Sequence, residues 1–281
     1  MRYLEAFDAT EAFELAYRAV ETYGEKVESR IGETKHLTNM TICIQDPRHG
    51  VCLDPTRNMS LRYMLGEIQW YMSGSNRVKD IAKFAKMWAD LSDDGKTVNS
   101  AYGYRIQKMF GFNQLKYCIE KLKKNRYDRQ CVIHIKDASD KPTKDTPCTV
   151  SLQFTYERGF LSLHTYMRSN DIWLGLPYDV AFFTCLQQIV AHEIGACLGG
   201  YYHTVGDLHL YKKHWGKPVD FIPKLFDPSR QSSVYEPWCI SKESKESLDK
   251  MLNGEEPTNK TLKTLWRMNN DQKNKSVGSG A

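Results

Sequence analysis

The chain has 281 residues, of which 41% are hydrophobic, and a formal net charge of +5. That length supports one large core or two small domains. So mild and scattered a charge suits an anionic small substrate and argues against duplex nucleic acid as the partner. No apolar run reaches the roughly 18 residues of a membrane span, and Met1-Arg2-Tyr3-Leu4-Glu5 does not read as a signal peptide. The eight cysteines, at 43, 52, 118, 131, 148, 185, 197 and 239, form no Cys-x-x-Cys pair and no regular framework. They read as reduced, mostly buried thiols of a cytoplasmic protein, and no metal site is expected.

In chain order, residues 9–23 read as an amphipathic helix ended by Gly24, and 36–45 as a strand. Residues 59–73, with Leu61, Met64, Leu65, Ile68, Trp70 and Tyr71, read as a buried helix ended by Ser73-Gly74. A second helix is expected over 79–90, a turn at Asp93-Asp94-Gly95 and a helix over 110–124 that is basic at its end. The period then changes to two. Residues 130–137, 148–157 and 160–168 read as strands, the last two joined as a hairpin by Glu157-Arg158-Gly159. From Pro177 to about Leu198 the pattern is a long apolar helix stopped by Gly199-Gly200, after which 201–211 returns to strand. A modest helix over 241–252 and a polar, mobile tail over 269–281 complete the reading. Strands gathered in the middle of the chain and helices around them give an α+β class with one sheet. Residues 1–268 form the expected catalytic domain.

The chemistry is carried by two segments. Cys148 follows Pro147 at the start of a strand, and Arg168 lies at the end of the next. The far ends of a hairpin meet, so Arg168 is expected beside Cys148, where a guanidinium stabilises a thiolate and binds phosphate bidentately. A lone cysteine before a strand is more often structural than catalytic, so the nucleophile reading depends on company. Glu67 sits among Leu65, Ile68 and Trp70, which implies burial and a raised carboxyl pKa suited to acid/base work.

That company is specific. Pro147-Cys148, Arg168-Ser169-Asn170-Asp171 through Leu174-Gly175-Leu176-Pro177-Tyr178-Asp179, and Gly206-Asp207-Leu208-His209-Leu210-Tyr211 stand in order. Upstream lie Gly66-Glu67-Ile68-Gln69-Trp70-Tyr71-Met72-Ser73-Gly74 and Ala101-Tyr102-Gly103. Over about residues 15 to 215 the chain resembles the thymidylate synthase family. The resemblance implies a mixed sheet covered by helices, with one sheet face forming an obligate homodimer interface. It implies a pyrimidine nucleoside monophosphate as substrate and 5,10-methylenetetrahydrofolate as co-substrate. Cys148 would add to C6 of the ring, Glu67 would organise water and move protons, and Tyr102 would help remove the C5 proton. Arg30, Arg168 and Ser169 would hold the phosphate, and His209 and Tyr211 the sugar hydroxyl. Asp171 would bind the pterin, with Trp88, Leu174, Gly175 and Tyr178 lining the folate site. Paired arginines of the family reach the partner's phosphate; here the pair reads Arg129-Gln130, and Arg126 is the candidate to supply the missing charge.

The departures are informative. Asp179 stands where the family normally has Asn. An Asn amide donates to uracil O4 and accepts from N3–H, whereas cytosine inverts that edge. A carboxyl accepts from N4 and, when protonated, donates to N3, so Asp179 points to cytosine. Its bland alternative is a helix cap. Thr149 follows the cysteine where thymidylate synthases usually carry His, and Ala85 takes the place of an active-site Trp. Asn99-Ser100-Ala101-Tyr102-Gly103 is similar to the deoxycytidylate hydroxymethylases. The polar end of the chain lacks the apolar closure over folate, and an open site lets water reach the one-carbon unit. The expectation is therefore folate-dependent 5-hydroxymethylation of deoxycytidylate or cytidylate. Its rivals are a reductive thymidylate synthase or cytidylate C5-methylase, and an inactive nucleotide- or RNA-binding regulator.

Overall fold

The computed structural model describes residues 2–219 and scattered positions between 246 and 267. It opens with strand β1 (Tyr3–Ala6), helix α1 (Ala9–Tyr23) and the hairpin strands β2 (Glu25–Ser29) and β3 (Gly32–Ile44). Asp8 starts α1 by accepting from the backbone N–H groups of Thr10 and Glu11, both at 3.0 Å. Helix α2 (Leu61–Met72) is capped by Ser60, whose hydroxyl accepts from Tyr63 N at 3.2 Å. The single helix expected over 79–90 is instead two short ones, α3 (Val78–Ile81) and α4 (Met87–Leu91). Between them Phe84 drops onto α2, where it fills the space a side chain at Gly66 would need.

Next come a short helical segment α5 (Tyr102–Tyr104) that runs into a π-helical turn over Arg105–Met109, helix α6 (Gln114–Lys124) and strand β4 (Val132–His134). Strands β5 (Thr149–Glu157) and β6 (Phe160–Met167) form the expected hairpin, with Arg158 and Gly159 both at positive φ, 49° and 98°. A two-residue strand β7 (Asn170–Asp171) leads to α7 (Leu176–Ile194), and β8 (Cys197–Tyr211) completes the sheet. Helix α7 ends earlier than its apolar run suggests, at left-handed Gly195 (φ 65°). Gly199 and Gly200 therefore lie inside β8 and do not stop the helix. A side chain at Gly199 would meet Ser162 Oγ, so the glycine admits close passage of β8 beside β6.

The sheet order is β1-β3-β8-β6-β5-β4, with β2 added on β3 and β7 on β8. β1 is parallel to β3 and β6 to β8, while β3–β8, β5–β6 and β4–β5 are antiparallel. The fold is thus α+β with a mixed sheet. Inward positions of β3, β6 and β8 alternate: Met40, Ile42, Ile44, Leu161, Leu163, Tyr201 and Val205 are fully buried beneath α1 and α7. The other sheet face carries Thr41, Cys43, Tyr202, Thr204 and, more exposed, His164 and Tyr166. Seven cysteines are free thiols, with Cys148 and Cys197 partly exposed and the rest buried, and Cys239 lies outside the described residues. No helix among the described residues is long and apolar enough to cross a membrane. The helix expected over 241–252 is described only at Glu246, Ser247 and Lys250, which are helical, and the tail over 269–281 lies outside the described residues.

Candidate active site

The β5–β6 hairpin places Cys148 and Arg168 together. Thr149 pairs with Met167, Arg168 N donates to Cys148 O at 2.8 Å, and Arg168 Nη2 donates to Cys148 Sγ at 3.6 Å. The same guanidinium donates to the carbonyls of Pro147 at 3.1 Å and Thr146 at 3.0 Å, so it orders the turn that presents the thiol. The resting thiol is nevertheless not a stabilised thiolate. Burial pushes Cys148 up to about 11, Asp179 and Asp145 push the same way, and Arg168 only partly offsets them. Arg168 stands beside the thiol as expected, but burial outweighs the stabilisation it gives a thiolate.

Glu67 is buried on α2, as its neighbours imply. Burial, with the charge of Asp179 acting the same way, raises its carboxyl to about 8 despite hydrogen bonds from Tyr63 and Tyr71. Tyr63 Oη donates to Glu67 Oε1 at 2.6 Å and accepts from Trp88 Nε1 at 3.1 Å. Tyr102 stacks on Tyr71 with ring centroids 5.2 Å apart, and burial holds its hydroxyl well above the ordinary range, with Asp179 and Cys148 adding to the effect. Gly103 allows this approach, because any side chain there would run into the backbone of Tyr71.

Asp179 is not a helix cap. It lies in the first turn of α7, whose cap position is Gly175, and its side chain turns to Asn170. Asn170 Nδ2 donates to Asp179 Oδ2 at 2.7 Å, and Asn170 Oδ1 lies 3.0 Å from His203 Nε2. His203 Nδ1 in turn lies 2.8 Å from the Tyr201 hydroxyl. Burial raises Asp179 to about 7 and lowers the fully buried His203 to about 3, so the imidazole is neutral.

At the other end of the site, Ser169 Oγ lies 3.3 Å from His209 Nδ1, and Asp207 sits between His209 (3.3 Å) and His36 (2.8 Å). Tyr211 packs edge-on to His209 at 5.3 Å; burial, then Asp171, raises its hydroxyl, while nearby Ser29 and Arg30 act the other way. Arg30 is exposed in the β2–β3 turn. Arg129 is exposed in the turn before β4, beside Asp128, and nothing brings it to Cys148 of its own chain. Arg126, the candidate to replace its missing partner, is committed elsewhere: it donates to the Tyr156 hydroxyl and the Ile194 carbonyl, both at 3.0 Å.

Of the residues expected to line a folate site, Asp171 uses Oδ1 to accept from Trp173 N (2.8 Å) and Leu174 N (3.0 Å). Leu174 is exposed. Tyr178 accepts from Ser60 N at 3.1 Å and meets Tyr63 edge-on at 4.8 Å. Trp88 is buried against Trp70, 5.3 Å between centroids, so it offers little open ring. Gly175 has a further role, since a side chain there would collide with Asn170 Nδ2 and crowd Asp179. The residues that sequence reasoning left without a role are Tyr63, Asn170, Tyr201, His203 and Asp207. His203 had one signal: a histidine at an inward, otherwise apolar position of an alternating strand. Two cavities, of about 680 and 400 Å³, lie near Tyr104 and contain none of these residues.

The arrangement combines a thiol on an arginine, two buried carboxyls with raised pKa values and a polar end of Ser169, His209, Asp207 and Tyr211. It is matched by a family model described as thymidylate synthase, which covers residues 11–224. The chain belongs to the thymidylate synthase family.

Proposed function

We propose that this protein is a folate-dependent 5-hydroxymethyltransferase acting on a cytosine nucleotide, deoxycytidylate or cytidylate. The observation that carries the reading is the Asp179 carboxyl, held by Asn170 and raised to about 7 by burial. At neutral pH such a group offers both an acceptor for N4–H and, in its protonated form, a donor for N3. Uracil presents the opposite edge, and a buried mismatch costs about 1–3 kcal/mol per group.

The chemistry follows from the side chains. Binding brings the pyrimidine C6 against Sγ of Cys148, whose proton must leave first because the free thiol rests near 11. The new S–C6 bond moves the ring π-electrons to C5. 5,10-Methylenetetrahydrofolate supplies a one-carbon unit at the formaldehyde level and leaves as tetrahydrofolate. Tyr102 stands to relay the C5 proton away. Glu67, with a proton to take or give near neutrality, directs a water to the exocyclic carbon and accepts its proton. Electrons returning to C5=C6 expel the Cys148 thiolate. The sum is nucleotide, methylene donor and water giving hydroxymethyl nucleotide and tetrahydrofolate, with no change of oxidation state.

Arg168, Ser169 and Arg30 would hold the phosphate, and His209 and Tyr211 the sugar. Asp171, Leu174, Gly175, Tyr178 and Trp88 would form the folate side. The buried Trp88 and the small Ala85 leave that side without a broad aromatic platform, which favours access for water. A homodimer would use the outer sheet face, where His164 and Tyr202 stack at 4.4 Å and Tyr166 is exposed, and would carry Arg129 to the partner's phosphate. The catalytic unit would span residues 1–268, and no nucleic acid is required.

The test is the mass of the product formed with methylenetetrahydrofolate and deoxycytidylate, cytidylate or deoxyuridylate. A gain of CH2O on a cytosine nucleotide is expected. A gain of CH2, or turnover of deoxyuridylate alone, would leave the family intact and overturn this reading.

A further inference from the structure

A protonated carboxyl is an ambiguous reader. With its proton on either oxygen it presents donor and acceptor in either order, so it can match cytosine or uracil equally well. The surroundings of Asp179 remove that ambiguity. Asn170 Nδ2 donates to Oδ2 at 2.7 Å, so a proton on Oδ2 would face another donor. Turning the Asn170 amide over relieves this only if the His203 proton moves to the other ring nitrogen as well. Its Oδ1 is held at 3.0 Å by His203 Nε2, which must then be the protonated nitrogen. Since His203 is fully buried and neutral, Nδ1 carries no proton and accepts from the Tyr201 hydroxyl at 2.8 Å. With Asn170 in this orientation every link has the same polarity. Reversing it requires an amide rotation and a histidine tautomer change together, inside the core.

Around this chain stand Glu67, Asp171, Cys148, Tyr71 and Tyr102, whose charges act on or are felt from Asp179. Among the described hydrogen bonds, Asn170 is the side chain that fixes the carboxyl's orientation. Gly175 makes room for it, since a Cβ there would lie 2.8 Å from Asn170 Nδ2.

We infer that Asn170, His203 and Tyr201 form a positioning relay that confines the proton of Asp179 to Oδ1, and that this relay, rather than the carboxyl alone, separates cytosine from uracil. The inference rests on the cytosine reading proposed above. The fixed order of O–H at Oδ1 and acceptor at Oδ2 complements the N3 and N4–H edge of cytosine and opposes the N3–H and O4 edge of uracil.

Calorimetric titration of the full chain with deoxycytidylate and with deoxyuridylate, without folate, reads the preference directly. His203→Phe removes the donor to Asn170 and is expected to narrow the Kd ratio at least about tenfold, chiefly by admitting uracil. His203→Gln can donate to Asn170 and accept from Tyr201, and should keep the ratio within about threefold of the unaltered chain. Tyr201→Phe keeps the core filled while freeing the histidine tautomer, and should narrow the ratio about threefold. A merely structural role would weaken both nucleotides alike. An unchanged ratio in folded His203→Phe and Tyr201→Phe proteins overturns the relay, as does His203→Gln behaving like His203→Phe. A preference of the unaltered chain for deoxyuridylate would instead overturn the cytosine reading. The relay itself would then stand if the ratio still moves in His203→Phe and not in His203→Gln.

Discussion

The hydroxyl of Tyr63 donates to Glu67 Oε1 at 2.6 Å, one helical turn away on α2. This bond is among the forces holding Glu67 no higher than about 8 against the burial that raises it. A donor to a carboxylate favours the charged form. Tyr63→Phe should therefore raise Glu67 further, by about one pH unit for a hydrogen bond to a charged group. Where an ionised Glu67 is needed, turnover at neutral pH falls about tenfold and recovers as pH rises. The measurement is the pH profile of hydroxymethyl nucleotide formation. An acid limb that stays in place removes Tyr63 from control of Glu67.

The Cys148 thiol sits 3.6 Å from a guanidinium and is still pushed up to about 11. Proximity to a cation is thus outweighed by burial and by Asp179 and Asp145. Iodoacetamide should alkylate Cys148 of the free protein slowly at pH 7, with a rate that climbs through the alkaline range. Arg168→Gln should slow it further, because the one charge that lowers the pKa is lost. Peptide mass spectrometry after timed alkylation identifies the residue. Rapid labelling of Cys148 at pH 7 with a midpoint below 8 would contradict the burial argument.

Much of the site was legible in the sequence because its parts are local. The hairpin 148–168 brings Cys148 to Arg168 by strand pairing alone, and the apolar neighbours of Glu67 on one helix foretell its burial. The relay behind Asp179 was not legible, because its members come from three elements: β7, α7 and β8. Nothing in spacing says that β7 lies alongside β8 at Asn170 and Leu208. The overlong reading of α7 has a similar origin. Gly199 and Gly200 look like helix stops by composition, yet they are needed for strand packing, and Gly195 in the left-handed region ends the helix first. Phe84 splits the helix expected over 79–90 for the sake of a contact with Gly66 that only the tertiary fold supplies.

Gly175 tests the geometry of the relay from outside it. Its backbone is compatible with alanine (φ −99°), but the added methyl would sit 2.8 Å from Asn170 Nδ2 and 3.3 Å from Asp179 Oδ2. Gly175→Ala should displace Asn170 at a cost of about 1–3 kcal/mol, the usual range for overpacking. Deoxycytidylate binding by calorimetry is expected to weaken at least about fivefold, with the fold retained by circular dichroism. Unchanged affinity would mean that Asn170 does not hold Asp179 in the binding-competent state.

Asp179 also predicts how stability depends on pH. Its folded value, about 7, lies above its ordinary 3.8. Between those two values the folded protein keeps a proton that the unfolded chain releases, so stability declines as pH rises through that window and the loss is complete above about 7. Asn at this position has no such proton, yet its side-chain oxygen can still accept from Asn170. Asp179→Asn should leave the melting temperature nearly unchanged at pH 4 and raise it by a few degrees at pH 8. The open side of Asp179 lets water screen it, which limits the gain to about 1–3 kcal/mol. The substitution also removes the charge that helps raise Glu67, which acts in the same direction at pH 8. Calorimetric melting at the two pH values decides it: an equal or lower melting temperature for the variant at pH 8 would show that Asp179 carries no burial penalty, and the base-reading carboxyl would then be ionised in the free protein at neutral pH.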